Sequence, residues 1–98
     1  MIEWEPKAVG ETVVLEADFA GALASGETID DSVVQVTVYS GVDDEPELLV
    51  DGVTSVYGTV VSQDITGGVA GVTYLIVFSV STSAHQILQQ AGYLVVVE

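Results

Sequence analysis

His85 is the only histidine in the sequence, and it therefore limits the catalytic chemistry that the chain can support. A serine nucleophile would need this histidine as its base and would have to stand exposed on a sharp turn. No serine occurs in a Gly-x-Ser-x-Gly context, and the chain has no cysteine. We predict that the protein is not an enzyme and has no catalytic residues, and we interpret His85 as a polar loop residue.

Acidic residues are grouped at Asp30-Asp31, at Asp43-Asp44-Glu45 and, close by, at Glu47 and Asp51. Sites made only of oxygen ligands suit calcium, but the Asp-x-Asp-x-Asp-Gly loop with its distal glutamate is absent. A single histidine, in a chain without cysteine, removes most other metal sites. We predict no metal ligands and a solvated acidic rim, with incidental calcium binding as the alternative.

The segment Gly67-Gly68-Val69-Ala70-Gly71 contains enough glycine to suggest a phosphate-binding loop. Such loops lead into a helix and carry a lysine that contacts phosphate. This segment has no lysine and leads into a β-branched and aromatic run that continues to Thr82, which is typical of a strand. We interpret the segment as a turn before a strand, and we predict no cofactor.

Aromatic residues are few, and they do not form an evident cluster in the sequence. Trp4 lies between Glu3 and Glu5, which favours an N-terminal strand with Trp4 facing inward to cover one end of the core; a ligand platform is the alternative. The four tyrosines fall on different predicted strands, and nothing in the sequence shows them converging. They are Tyr39, Tyr57, Tyr74 and Tyr93.

The chain has fifteen acidic residues and one lysine, which gives a formal charge of −14 and a pI near 4.1. This charge repels phosphate backbones and anionic lipid, so we predict no nucleic-acid and no membrane partner. The acidity serves either to keep copies apart or to complement a basic docking surface. Hydrophobic content of 49% and a mean hydropathy of +0.54 indicate either apolar surface left for partners or valines on both faces of central strands.

The alternation of apolar and polar residues predicts an all-β chain, and the length of 98 residues allows one domain, 1–98. The predicted strands before the glycine-rich turn are Thr12–Phe19, Ser32–Tyr39, Glu47–Val50 and Val53–Ile65. We also expect a turn at Asp51-Gly52, and the last of these strands is either continuous or broken near Gly58.

The segment from Ser83 to Gly92 allows two structures. A serine and a glycine at its ends, with helix formers between them, are compatible with two helical turns. The alternative is a hairpin turn at Ser83 to Gln86 followed by one long strand, Ile87–Val97. We favour the hairpin, because regular short turns are typical of a β-sandwich.

Several of these elements also occur together in a known family. They are the Gly26-Glu27-Thr28-Ile29 element, the valine-rich strand after Ser32, the turn and strand from Gly67 to Tyr74, the Ser81-Thr82-Ser83 strand end and the terminal Leu-Val-Val-Val. In this order, over roughly residues 12 to 97, the chain resembles the small immunoglobulin-like virion proteins of tailed bacteriophages described as fibre-tail adaptors. It departs from them in having Ala84-His85-Gln86 where they often carry a Gly-Arg pair.

The resemblance implies a single Ig-like antiparallel β-sandwich of about seven strands and a non-enzymatic structural role in the virion, assembled in the host cytoplasm. The expected function is an adaptor that joins the tail or neck to fibres, present in multiple copies in a symmetric assembly with other virion proteins. A capsid decoration protein is the alternative within this class. A carbohydrate-binding β-sandwich module is the alternative from another class. The resemblance identifies no site residues.

Overall fold

Strands account for 59 of the 98 residues, and turns and loops connect them. The computed structural model describes residues 1–98 and contains eight strands and one 3-10 helix. No helix in it is long and apolar enough to cross a membrane. The strands are β1 (Ile2–Glu3), β2 (Lys7–Ala8), β3 (Thr12–Asp18), β4 (Ile29–Ser40), β5 (Val50–Tyr57), β6 (Val60–Thr66), β7 (Thr73–Thr82) and β8 (Ile87–Val97), and the 3-10 helix is Pro46–Leu49.

The strands form two sheets. The large sheet has the order β1-β8-β7-β4, and β2 also pairs with β8. The small sheet has the order β3-β6-β5. All pairs are antiparallel except those of β1 and β2 with β8, which are parallel. The predicted all-β sandwich is confirmed, with eight strands instead of about seven.

The core lies between the sheets because alternate residues of each strand point inward. Along β7 the burial alternates without interruption over all ten residues. Fourteen hydrophobic residues form one buried cluster. They are Leu15, Ala17, Phe19, Val36, Leu49, Val61, Ile65, Val72, Tyr74, Ile76, Phe78, Val80, Leu94 and Val96.

The hairpin interpretation of the segment after Ser83 is confirmed. Residues 83–85 form the turn and β8 runs unbroken from Ile87 to Val97. His85 is exposed in this turn, and it is the only residue other than glycine with a positive φ, 61°. Histidine tolerates the left-handed region better than most residues. The break near Gly58 is also confirmed, because Gly58 has a φ of 62° in the turn that separates β5 from β6.

Two predictions for the middle of the chain are wrong. The predicted strand Glu47–Val50 is largely the 3-10 helix, since Pro46 has the φ of a first helical residue and cannot donate to a sheet. Asp51-Gly52 is not a hairpin turn. It lies inside β5, where Gly52 has a φ of 74° and the pairing with β6 is irregular between Asp51 and Ser55.

Gln63 explains why this irregularity is stable. Its side chain is only 1% exposed and points from β6 toward the irregular part of β5. Its Nε2 donates to the carbonyls of Asp51 (3.0 Å), Gly52 (3.3 Å) and Asp64 (3.1 Å), and its Oε1 accepts from the Thr54 hydroxyl at 2.6 Å. The Gln63 amide thus donates to backbone carbonyls that would accept hydrogen bonds from a neighbouring strand in a regular ladder.

Residues 1–10, here called the N-terminal arm, lie along the free side of β8. Trp4 packs on Phe78 with ring centroids 5.9 Å apart, and its Nε1 is buried without a hydrogen-bond partner. Trp4 therefore covers one end of the core. The arm passes very close to Gly92, where an added Cβ would lie 2.5 Å from the Ile2 carbonyl oxygen. Only glycine fits there without a shift of the arm.

Lys7, the only lysine or arginine in the chain, is completely buried in this arm. Its Nζ donates to the carbonyls of Ala8 (2.7 Å), Val9 (3.2 Å) and Gly67 (2.6 Å), and so ties the arm to the glycine-rich turn. Burial lowers the pKa of this amine, while nearby Glu11 acts in the opposite direction. Because this cation is bound inside, the acidic surface has no lysine or arginine to balance it.

Candidate docking surfaces

The outer face of the small sheet is acidic. Its outward-facing positions include four exposed carboxylates, Glu16 and Asp18 on β3, Asp51 on β5 and Asp64 on β6. Asp51 and Asp64 are directly opposite each other in the ladder. Like charges in this position repel each other across the strands. This face therefore concentrates negative charge.

We expect Asp64→Asn to raise the Tm at low ionic strength, because it removes the repulsion with Asp51. The free energy of unfolding should increase by roughly a few tenths of a kcal/mol. Added salt should shrink the gain. Glu16→Gln is the matched control, since Glu16 lies on the same face but opposite Ser62. Thermal unfolding at low and high salt measures both. An equal gain from the control would show that only net charge matters.

The outer face of the large sheet, in contrast, is free of charge over three strands. None of the outward-facing residues of β4 from Val33 to Tyr39, of β7 from Thr73 to Ser81 or of β8 from Ile87 to Val97 is charged. We call this surface the neutral face. In a chain with fifteen acidic residues, a charge-free surface on three neighbouring strands is unusual, and depletion of charge is typical of the centre of a protein interface.

Two tyrosines meet at one end of the neutral face. Tyr39 of β4 and Tyr93 of β8 reach toward each other over β7, with ring centroids 4.4 Å apart and planes at 49°. Burial, and then the neighbouring Tyr39, raise the pKa of Tyr93. Sequence reasoning missed this pair because the order β4-β7-β8 brings together strands that are distant along the chain. Tyr74 is in the core, and Tyr57 is exposed at the end of β5.

A shallow hollow of about 160 Å³ lies at the other end of the neutral face. It forms because the small side chains of Ser79 and Ser81 on β7 stand between the larger Val33 and Ile87 on the two neighbouring strands. Asp31 lines one end of it, where β4 begins, and accepts a hydrogen bond from the Ser32 N–H at 2.9 Å. The hollow therefore combines apolar walls with one carboxylate.

The acidic loop between β4 and the 3-10 helix forms a larger, open groove of about 550 Å³ with the glycine-rich turn. Tyr74 fixes its two walls, because the Tyr74 hydroxyl donates to Asp43 Oδ2 at 2.7 Å and accepts from the Val69 N–H at 2.9 Å. The bond from Tyr74, and then the Glu45 N–H, lower the pKa of Asp43. Burial and Asp43 raise the pKa of Tyr74 to about 12.

No group of three or more acidic, histidine or cysteine side chains is arranged to hold a metal ion, in this groove or elsewhere. Asp30-Asp31 and Asp43-Asp44-Glu45 lie on different elements, and His85 is in the β7–β8 turn. A bound metal ion would stabilise the folded protein, and its removal would lower the Tm. Because no such site is present, we expect a chelator to leave the Tm of the purified protein unchanged. A clear drop would show that the acidic loops form a calcium site.

This all-β sandwich has one acidic outer face and one neutral outer face. Residues 7–95 match the family described as podophage GP4 fiber-tail adaptor protein gp77. The chain belongs to this family, which confirms the resemblance seen in the sequence. No curated protein and no solved structure matches the chain.

Proposed function

We propose that this protein is a non-enzymatic structural component of a tailed-phage virion that joins the tail or neck to the fibres through contacts with other virion proteins. The family match over residues 7–95 carries the proposal. The neutral face supports it, because an adaptor needs a surface that loses little when it is removed from water.

The shape of the molecule also suits an adaptor. Its extents are 43 × 21 × 20 Å, and the neutral face follows the long strands. A single copy therefore presents an elongated surface to a partner. Repetition of one such contact around a symmetric ring would give multiple copies per particle. We place the assembled protein in the virion, with assembly in the host cytoplasm.

Deletion of the gene tests this function. We expect purified particles to keep their heads and tail or neck but to lack fibres, and we expect the wild-type gene in trans to restore both this chain and the fibres. Electron microscopy and mass spectrometry of the particles measure these two outcomes. Particles that carry a normal set of fibres without this chain would contradict the proposal.

A further inference from the structure

The size of the neutral face limits what can bind there. The outward-facing run of β7 from Thr73 to Ser81 is about 30 Å long, and three strands are about 14 Å wide, so the face covers on the order of 400 Å². A stable interface needs about 800 Å² on each partner. A partner must therefore extend past the neutral centre onto its borders.

The borders of this face are acidic. Asp31 lies opposite Ser81 at one end, Glu3 is in register with Tyr93 along β1, and Glu98 follows the last residue of β8. A second copy of this chain, with its own charge of −14, would bring acidic borders against acidic borders. Such contacts between like charges oppose binding. The border charge instead complements a basic surface.

We infer that the neutral face binds a different virion protein, one with an uncharged apolar surface bordered by arginine or lysine, and that one basic side chain of that partner enters the hollow beside Asp31. The hollow fits this residue type. Val33 and Ile87 contact the aliphatic part of such a side chain, and the Asp31 carboxylate accepts from its charged end. This inference rests on the proposed function, since it names the partner chemistry of the same surface.

The test uses particles assembled without this chain, to which the purified protein is added back. We expect Val77→Asp, in the centre of the neutral face, to weaken binding about tenfold or more, because it buries an unpaired charge. Val14→Asp is the matched control, since Val14 is a 60% exposed strand valine on the acidic face. Far-UV spectra and thermal unfolding check that both variants fold before their binding is compared.

A second pair of variants tests the basic partner. We expect Asp31→Asn to weaken binding and to reduce its dependence on salt, whereas Asp64→Asn on the acidic face should do neither. A photo-crosslinker at position 77 should then join the chain to another virion protein, and mass spectrometry should place the cross-link near arginine or lysine.

The outcomes separate the inference from the function. If wild-type protein binds the particles but Val77→Asp binds equally well, or if the crosslinker at position 77 joins two copies of this chain, the inference is wrong and the adaptor role stands. If binding depends on salt equally for Asp31→Asn and for wild type, the inference that a basic side chain enters the hollow is wrong. If wild-type protein does not bind at all, the proposed function itself fails.

Discussion

Gly92→Ala is expected to loosen the N-terminal arm from the large sheet and to expose Trp4. The new Cβ would lie 2.5 Å from the Ile2 carbonyl oxygen and 2.7 Å from Cζ3 of Trp4. Backbone atoms of β1 cannot yield as the tip of a flexible side chain can, so the arm must move. We expect a loss of roughly 1–3 kcal/mol, as for other additions to a packed interior.

Fluorescence measures this movement directly, because Trp4 is the only tryptophan in the chain. In the wild type its ring packs on Phe78, and its Nε1 is buried without a partner. That unpaired N–H weakens the docking of the arm, since water would bind it if the arm left. We expect a red-shifted emission and faster quenching by acrylamide, a neutral quencher that the acidic surface does not repel.

Gly21→Ala is the matched control for this substitution. An added Cβ there meets nothing within 4 Å, and Gly21 does not have a positive φ. It should leave both the Tm and the emission of Trp4 as they are in the wild type. An unchanged emission in Gly92→Ala, or the same loss of stability in both variants, would contradict the close packing of the arm on Gly92.

The period-two pattern was enough to predict which residues of β3 and β4 point inward. Leu15 and Val36 lie in alternating runs, and both are in the core. Ile76 is in the core as well, but it lies in the continuous apolar run of β7, where the sequence alone does not select the inward face. The pattern could not show which strands share a sheet. Tyr39 and Tyr93 therefore appeared unrelated, although the strand order brings their rings together.

The distribution of charge over the surface could not be predicted from the sequence either. The acidic composition was evident, but the division into an acidic face and a neutral face depends on the pairing of β3 with β6 and of β4 with β7. Lys7 gave no local signal of burial either, because its partners include the Gly67 carbonyl, sixty residues away along the chain. A lone lysine among acidic residues would ordinarily be expected at the surface.

The second large effect is a loss of stability at high pH that depends on Tyr74. Its hydroxyl has a folded-state pKa of about 12, raised from 10.0 by burial and by Asp43. Above pH 10 the unfolded chain releases this proton while the folded chain keeps it. A raised folded pKa therefore gives stability that is complete below pH 10 and is lost as the pH rises toward 12. This difference in pKa contributes roughly 2–3 kcal/mol to the free energy of unfolding below pH 10.

Lys7 acts in a lower pH range and with the opposite sign. Its pKa is lowered by burial from 10.5, so the unfolded chain binds more protons than the folded chain just below that value. Its contribution to stability therefore increases as the pH approaches 10.5 and is constant above it. The decline between pH 10.5 and 12 belongs to the tyrosines, and to Tyr74 above all because it is completely buried.

Tyr74→Phe isolates this contribution. The variant loses the bonds to Asp43 and to the Val69 N–H, so near pH 7 we expect it to be less stable by about 1–3 kcal/mol. Denaturant unfolding from pH 9 to 12 should then show a steep decline for the wild type and a shallower one for the variant, whose curve approaches that of the wild type near pH 12. Tyr57→Phe is the matched control: Tyr57 is 89% exposed on β5, so its loss should keep the steep decline. Parallel curves for wild type and Tyr74→Phe over this range would mean that Tyr74 does not hold its proton inside the fold.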